Sequence, residues 1–476
     1  MRHSASYTYS PPHSPPGDFQ GPLRMACGLW LAAATGCALW IPAALWPLLA
    51  GTALLGTAFL AFRHTIGFCV AWLLIAGSTL EMAIGDWLGG EAYQTIIALV
   101  KATELGLGMV CILRFGPRLD AFNPAFAYLF IFAGGLVHGL HPGLTPADSL
   151  RSLIGSAAPF IFCFSRVPPG WAQGMIRMTC WIPLLTVAAG AMLAAAGFRP
   201  LFTDSGGWRL AALGHPAFLG GFCLSAIYAC LFELLRDGRR RDLMLVGINF
   251  ILLLATGARA PAMYAAAVGL AVLAATRSPA FPARTRGMLA LGLATLLPLV
   301  LIAASALPQV RLFNLLTGEA GNLSGREILW PLFARAADAS PWLGWGLGAG
   351  NVIIPPGSEV AELIGSRAAH NEYLRMSVEG GEIGRCLLIA LFVLWGLRGS
   401  ATLPRDEKLL MRLIFVAFAG HAYTDNVLIS TSACVFFTLI AAVFARGRLE
   451  GDRVKAVRPG ALPPCLTIGT PLRASP

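Results

Sequence analysis

Apolar stretches of about 20 residues, the length that crosses a bilayer as a helix, recur along this chain from about residue 24 to residue 445 with only short polar joints between them. That repetition leaves few architectures open. In hydrocarbon every main-chain polar group needs a partner within the protein, so only helical bundles and closed barrels span a membrane. The period-two alternation of a barrel strand is missing, and the segments are continuous runs rich in Leu, Ala, Gly, Phe and Trp. Only 12% of the 476 residues are charged and 56% are hydrophobic, which leaves no polar covering for a soluble core. The fold class expected is all-α: a polytopic integral membrane helical bundle with one large extracytoplasmic loop.

Spans are expected at roughly 24–41, 44–62, 66–85, 93–113, 124–140, 152–166, 175–197, 213–235, 242–256, 261–275, 287–306, 386–398, 409–423 and 427–445. That is about fourteen. If the first two form a re-entrant hairpin about Trp40-Ile41-Pro42, about twelve cross fully, and either count leaves both termini on one side. Residues 1–23, rich in Pro and Ser, read as a disordered cytoplasmic tail. Residues 24–306 form a transmembrane region, 307–385 a large outer loop, 386–445 the C-terminal membrane helices, and 446–476 a basic cytoplasmic tail.

The net charge of +11 does not call for a nucleic-acid partner, because the positive residues are spread over short joints and the C-terminus. One alternating set of joints holds Arg63, Arg114, Arg166, Arg236, Arg277, Arg398 and the tail from Arg446; the other holds Asp86, His141, Asp204, Asp425 and the long loop. The positive-inside trend places the first set in the cytoplasm. The long loop then faces outward, together with Gly207 to Pro216 and Thr256 to Pro261. The eleven cysteines form no C-x-x-C pair, so neither a disulfide framework nor a thiolate metal site is indicated. No cofactor is called for.

Within the outer loop, His370 is the candidate for proton transfer, since imidazole titrates near neutrality. Asn371 and Glu372 beside it can orient the ring; the bland alternative is an ordinary surface histidine. Arg326 follows Ser324-Gly325 and precedes an apolar run through Phe333, at a loop edge where its fork of donors suits phosphate oxygens. Arg259 lies outward against the charge trend, which an anionic ligand explains; pairing with Glu372 or Glu379 is the alternative. Arg209 is a third outward arginine. Gly344, Gly346, Gly348 and Gly350 lack the strand and the Lys-Ser/Thr of a nucleotide loop and are read as a tight turn packing the loop onto the bundle. Lys101 and Glu104, one helical turn apart, read as a mutually neutralising pair. No D-x-D or His/Cys cluster occurs in the loop, which fits a metal-independent reaction better than a metal-assisted one.

Taken in order, Thr256-Gly257-Ala258-Arg259-Ala260, Ser324-Gly325-Arg326 with Trp330, the glycine run, His370-Asn371-Glu372-Tyr373-Leu374 and Glu379-x-Gly381-x-x-Gly384 resemble the O-antigen ligase and polymerase superfamily of bacterial surface-polysaccharide enzymes. His215-Pro216 with Gly220 is similar to an earlier outward loop of that family. The resemblance covers roughly residues 207 to 400. It departs from the pattern at Gly257-Ala258-Arg259, where Ser-Arg-Gly is usual, and at Ala217, where an amide residue is common.

The resemblance implies a GT-C-like bundle in the bacterial inner membrane, with its active loop in the periplasm. The activity it implies is a metal-independent glycosyltransferase. Such an enzyme moves a glycan from an undecaprenyl-diphosphate donor to a lipid or glycan acceptor, in lipopolysaccharide or exopolysaccharide biosynthesis, as ligase or polymerase. Carried over by position, Arg259 and Arg326, with Arg209, hold the diphosphate, His370 acts on the acceptor as base or binding residue, and Asn371, Glu372 and Glu379 support it. The competing reading is a transporter or flippase for the lipid-linked precursor. A transporter places its polar groups near the bilayer midplane, whereas the ionisable groups here gather at one face.

Overall fold

In a computed structural model of the protein, residues 45–88, 90–204, 207–276, 282–289 and 325–457 are described, with isolated positions 21, 25, 28–30, 32, 291–292 and 295. Most of the expected tail 1–23 and of the segments 24–41 and 287–306 lie outside the described residues. So do loop residues 307–324, including Ser324, and the C-terminal residues 458–476.

The elements in chain order are α1 (Leu45–Arg63), α2 (Thr65–Ser78), α3 (Leu80–Leu88), α4 (Gly90–Phe115), α5 (Ala125–His138), α6 (Pro146–Ala157), a 3-10 stretch (Ala158–Phe164) and α7 (Pro169–Ala195). A hairpin follows, β1 (Phe202–Asp204) and β2 (Trp208–Leu210), then α8 (Pro216–Asp237), α9 (Arg240–Ala255) and α10 (Arg259–Ala275). After the gap come α11 (Arg326–Asp338), a 3-10 turn (Ala349–Asn351), α12 (Glu359–Ile364), α13 (Glu372–Ser400), α14 (Arg405–Thr424) and α15 (Thr431–Val457).

Among the described residues five helices are long and apolar enough to cross a membrane, or six if the pair bent by 106° at His64 is one span. This supports a helical membrane protein; the expected twelve to fourteen crossings include segments outside the described residues. The expected span at 124–140 is the 14-residue α5, about 21 Å long, and it stops at Gly139 with φ 119°. The expected span at 66–85 breaks at Thr79, whose φ of 55° ends α2. At 152–166 the α-helix gives way to a 3-10 stretch at Ala158–Phe164, where Pro159 has no N–H to offer. The fold is also not purely helical, because Phe202 pairs with Leu210 and Asp204 with Trp208 across an antiparallel hairpin.

Helices α8 and α15 form the centre. Their apolar residues are nearly all buried, and they pack against α7 and each other. A cluster of T-shaped and tilted aromatic pairs among Phe160, Phe392, Trp395, Phe437 and Phe444 fills the space between α13 and α15. A second, smaller core underlies the loop. Leu329 and Phe333, four residues apart on α11, bury themselves against Leu144, Ile354, Ala369 and Val378.

The loop and α13 are joined through a break in the helix. Gly381 (φ 58°, ψ −165°) interrupts α13, leaving carbonyls above it and N–H groups below it without helical partners. The turn Pro341–Gly346 supplies them. Trp345 N donates to Val378 O at 2.8 Å and Gly346 N to Glu379 O at 3.0 Å, while Glu382 N donates to Pro341 O at 2.8 Å and Ile383 N to Trp342 O at 3.2 Å. Gly344 makes this approach possible: a Cβ there would stand 2.5 Å from the carbonyl carbon of Glu379, and its φ is +68°. The glycine run is therefore a docking turn.

Candidate functional site

The site lies where the loop meets the first turn of α13 and the last turn of α14. His370 immediately precedes that first turn. Its φ of 48° is left-handed, a conformation that costs a non-glycine residue roughly 1–2 kcal/mol and persists only when its surroundings impose it. Asn371 follows as the N-cap of α13, its side chain accepting from Leu374 N at 3.1 Å, so it fixes the helix start and with it the backbone of His370.

The imidazole has a partner at each nitrogen. Nε2 lies 2.9 Å from Ser366 Oγ, and Nδ1 lies 3.4 Å from Asp425 Oδ1. Asp425 closes α14 as its C-cap, and its Oδ1 also accepts from Asn426 N at 2.8 Å. Burial alone would raise the Asp425 pKa. The hydrogen bond from His370, the neighbouring His421 and the Asn426 N–H outweigh it and hold the carboxyl below the usual range. A carboxylate at Nδ1 fixes the tautomer with Nε2 free to accept a proton, and it stabilises the imidazolium that results.

Arg326 reaches the same corner. As the first residue of α11 it extends Nη2 to the carbonyl of Thr424, the residue before Asp425, at 2.6 Å. Its Nε is buried with no hydrogen-bond partner among the described residues. Trp330, one turn further along α11, donates Nε1 to Ala369 O at 2.9 Å and stacks edge-on with Tyr423. The chain on both sides of His370 is thus held by α11 and α14.

Arg259 begins α10, which packs along α14; Tyr264 lies against His421, with ring centroids 5.7 Å apart. Arg259 lies beyond Tyr264 toward the start of α10, and Asp425 beyond His421 toward the end of α14, so both sit at the same end of the bundle. Arg209 is buried and donates Nε to Thr256 O at 2.8 Å, bracing the turn that presents Arg259. Gly220 lets α8 approach that turn, since a Cβ there would stand 2.6 Å from Ala258 Cβ. His215 caps α8 by accepting from Ala217 N at 3.2 Å.

Glu372 and Glu379 do not touch the His370 ring and do not pair with Arg259. They bracket Arg375, with Nε to Glu372 Oε2 at 2.6 Å and Nη1 to Glu379 Oε2 at 3.0 Å, all three side chains being buried. Glu372 Oε1 also accepts from Leu428 N at 2.8 Å and so anchors the joint that carries Asp425. Lys101 does not pair with Glu104 as expected. Its ammonium turns to Ile429 O at 2.9 Å, and the buried Glu104 carboxyl lies beside Cys434 instead. Sequence reasoning had no signal for Asp425 or Arg375 as members of this network beyond their residue types. Among the described residues no group of three or more His, Cys, Asp or Glu side chains is placed to hold a metal ion.

The far end of the bundle is built from arginines. Arg446 bonds Glu233 and Glu407, Arg236 pairs with Glu450, and Arg114 Nη1 donates to Arg63 O. No curated protein matches the chain. Residues 244–398, which carry Arg259, Arg326 and His370, match the O-antigen ligase family, and this match supports the O-antigen ligase and polymerase superfamily.

Proposed function

We propose that this protein transfers a glycan from an undecaprenyl-diphosphate donor to an acceptor hydroxyl on the periplasmic side of the bacterial inner membrane. The observation that carries this reading is His370 held between Asp425 and Ser366, with Arg326 fixed one residue from Asp425. The acceptor hydroxyl takes the position at Nε2 that Ser366 Oγ now fills. As its oxygen bonds to the anomeric carbon, its proton passes to Nε2, the Asp425 carboxylate stabilises the imidazolium, and the bond from that carbon to the diphosphate oxygen breaks. The departing diphosphate gains negative charge, which Arg326 and Arg259 offset.

A groove between α13 and α14 supports a lipid-borne donor. The cavity, about 420 Å³ and lined almost wholly by apolar side chains, runs from Glu372 and Leu428 beside the site to Leu397 and Arg412. An isoprenoid chain fits such a surface. The arginines gathered at the opposite end support the outward placing of the site.

The test is reconstitution in liposomes with an undecaprenyl-diphosphate-linked glycan and candidate lipid or glycan acceptors, with product followed by mobility. Wild type should transfer, while His370→Ala and Arg326→Ala should not. Translocation of the donor without transfer would establish the flippase reading instead, and full transfer by both variants would remove the site.

A further inference from the structure

Behind the buried Arg375 lies a second cavity, separate from the apolar groove. It occupies about 510 Å³ between α4, α6, the 3-10 turn at Ala349–Asn351 and the first half of α13, and its polar lining includes Lys101, Arg151, Ser152, Asn351, Arg375 and Glu379. Three of these carry positive charge and one negative. The cations are built into place. A Cβ on Gly155 of α6 would stand 3.3 Å from the Lys101 ammonium, so the absence of a side chain there makes room for it beside Ile429 O. Arg375 gives Nε and Nη1 to two carboxylates and has the Tyr128 hydroxyl beside it. Arg151 stands exposed at the rim and makes no hydrogen bond or ion pair among the described residues.

Arg151 stands without a partner among the described residues at the rim of a cavity that also holds the Lys101 ammonium, and two such cations find their partner in an anion. We propose that this cavity is a second anion site, which takes a phosphate group carried by one of the substrates. The assignment of that phosphate to a substrate rests on the transferase reading; the existence of the site does not. Arg326 already stands beside His370 to meet the donor's diphosphate, so the geometry favours a phosphate on the acceptor. The site also communicates with His370. The joint Asp425–Ser430 is held on the cavity side by Lys101 at Ile429 O, and on its other side by Glu372 at Leu428 N, so a group that meets the phosphate also positions Asp425.

The experiment measures thermal unfolding of the full chain in detergent against inorganic phosphate and inorganic diphosphate, for wild type, Arg151→Gln, Lys101→Gln and Arg326→Gln. A saturable stabilisation is expected in wild type and Arg326→Gln, weakened about ten-fold in apparent affinity by Arg151→Gln, in line with the loss of one charge-assisted contact. Because Lys101→Gln can disturb packing, the exposed Arg151 carries the decision, and protection of a Ser152→Cys thiol from alkylation by phosphate provides an independent readout. Stabilisation that is absent, or that depends on Arg326 and ignores Arg151, overturns the site. In the transfer assay, a raised KM for the acceptor alone in Arg151→Gln assigns the phosphate to the acceptor, and a raised KM for the donor alone assigns it to the donor. Unchanged KM for both overturns the substrate assignment. A chain that binds phosphate through Arg151 yet transfers nothing keeps the anion site and removes the transferase reading.

Discussion

Asp425 Oδ1 lies 3.4 Å from His370 Nδ1, although 55 residues and two long helices separate them in the chain. The contact gives the ring one tautomer and one orientation. Asp425→Asn should lower kcat by about 10² to 10⁴, the usual worth of a positioned general base, with little change in either KM. Steady-state transfer kinetics check this, and a variant with wild-type kcat would detach Asp425 from the reaction.

The same carboxylate carries a pH signature in stability. Its folded pKa lies below the usual value, so its stabilising contribution is present above about pH 4, the unfolded value, and is lost as pH falls through the folded one. Melting curves between about pH 5 and pH 3 should therefore fall less steeply for Asp425→Asn than for wild type.

Arg326 is expected to act through its fork. Arg326→Ala should cost about 2–4 kcal/mol of transition-state stabilisation, read as a fall in kcat/KM. Arg326→Lys should recover little, because one ammonium cannot bind Thr424 O and span two phosphate oxygens at once.

How much of this was legible beforehand differs by feature. Bilayer-length apolar runs are unmistakable in a sequence, and arginine beside a glycine turn or histidine at a loop end announces its chemistry by residue type. Asp425 gave no such sign, since a single carboxylate in a short polar joint looks like any solvated residue, and its meaning comes from the packing of α13 against α14. Apolar runs and helices do not coincide, for a local reason. Hydropathy follows side chains, whereas helix ends follow backbone conformation, and Gly139, Thr79 and Gly257 adopt left-handed or otherwise positive φ inside or beside apolar runs. Glu372 and Glu379 were placed near the right helix but with the wrong partner, because spacings of three and four residues from Arg375 outweigh adjacency to His370.

That triad makes a separate prediction. Glu372→Ala leaves Arg375 half-neutralised in a buried setting and should destabilise the protein by about 3–5 kcal/mol. It should also lower kcat, because Leu428 N loses its acceptor and the joint bearing Asp425 loosens. Thermal unfolding with parallel transfer assays separates the two effects.

Two glycines with similar backbone angles should behave differently. Gly344→Ala places a methyl 2.5 Å from backbone atoms of Glu379 and Gly381 at φ +68°, whereas Gly357→Ala at φ +72° meets nothing within 4 Å. The second should cost about 1 kcal/mol from backbone strain alone. Overpacking adds about 1–3 kcal/mol to the first. Equal melting points for the two variants would show that the turn does not press against α13.

The break at Gly381 has a mechanical consequence. Four main-chain hydrogen bonds weave the glycine turn into a membrane helix, and opening them away from water would strand their donors and acceptors. The turn cannot swing aside as a lid, and it travels with both halves of α13 as a single body. Tilting the lower half of α13 then levers the upper half, whose first turn follows His370. A covalent cross-link between the turn and the upper half should therefore leave turnover intact, while one that pins the lower half of α13 to α14 should stall it.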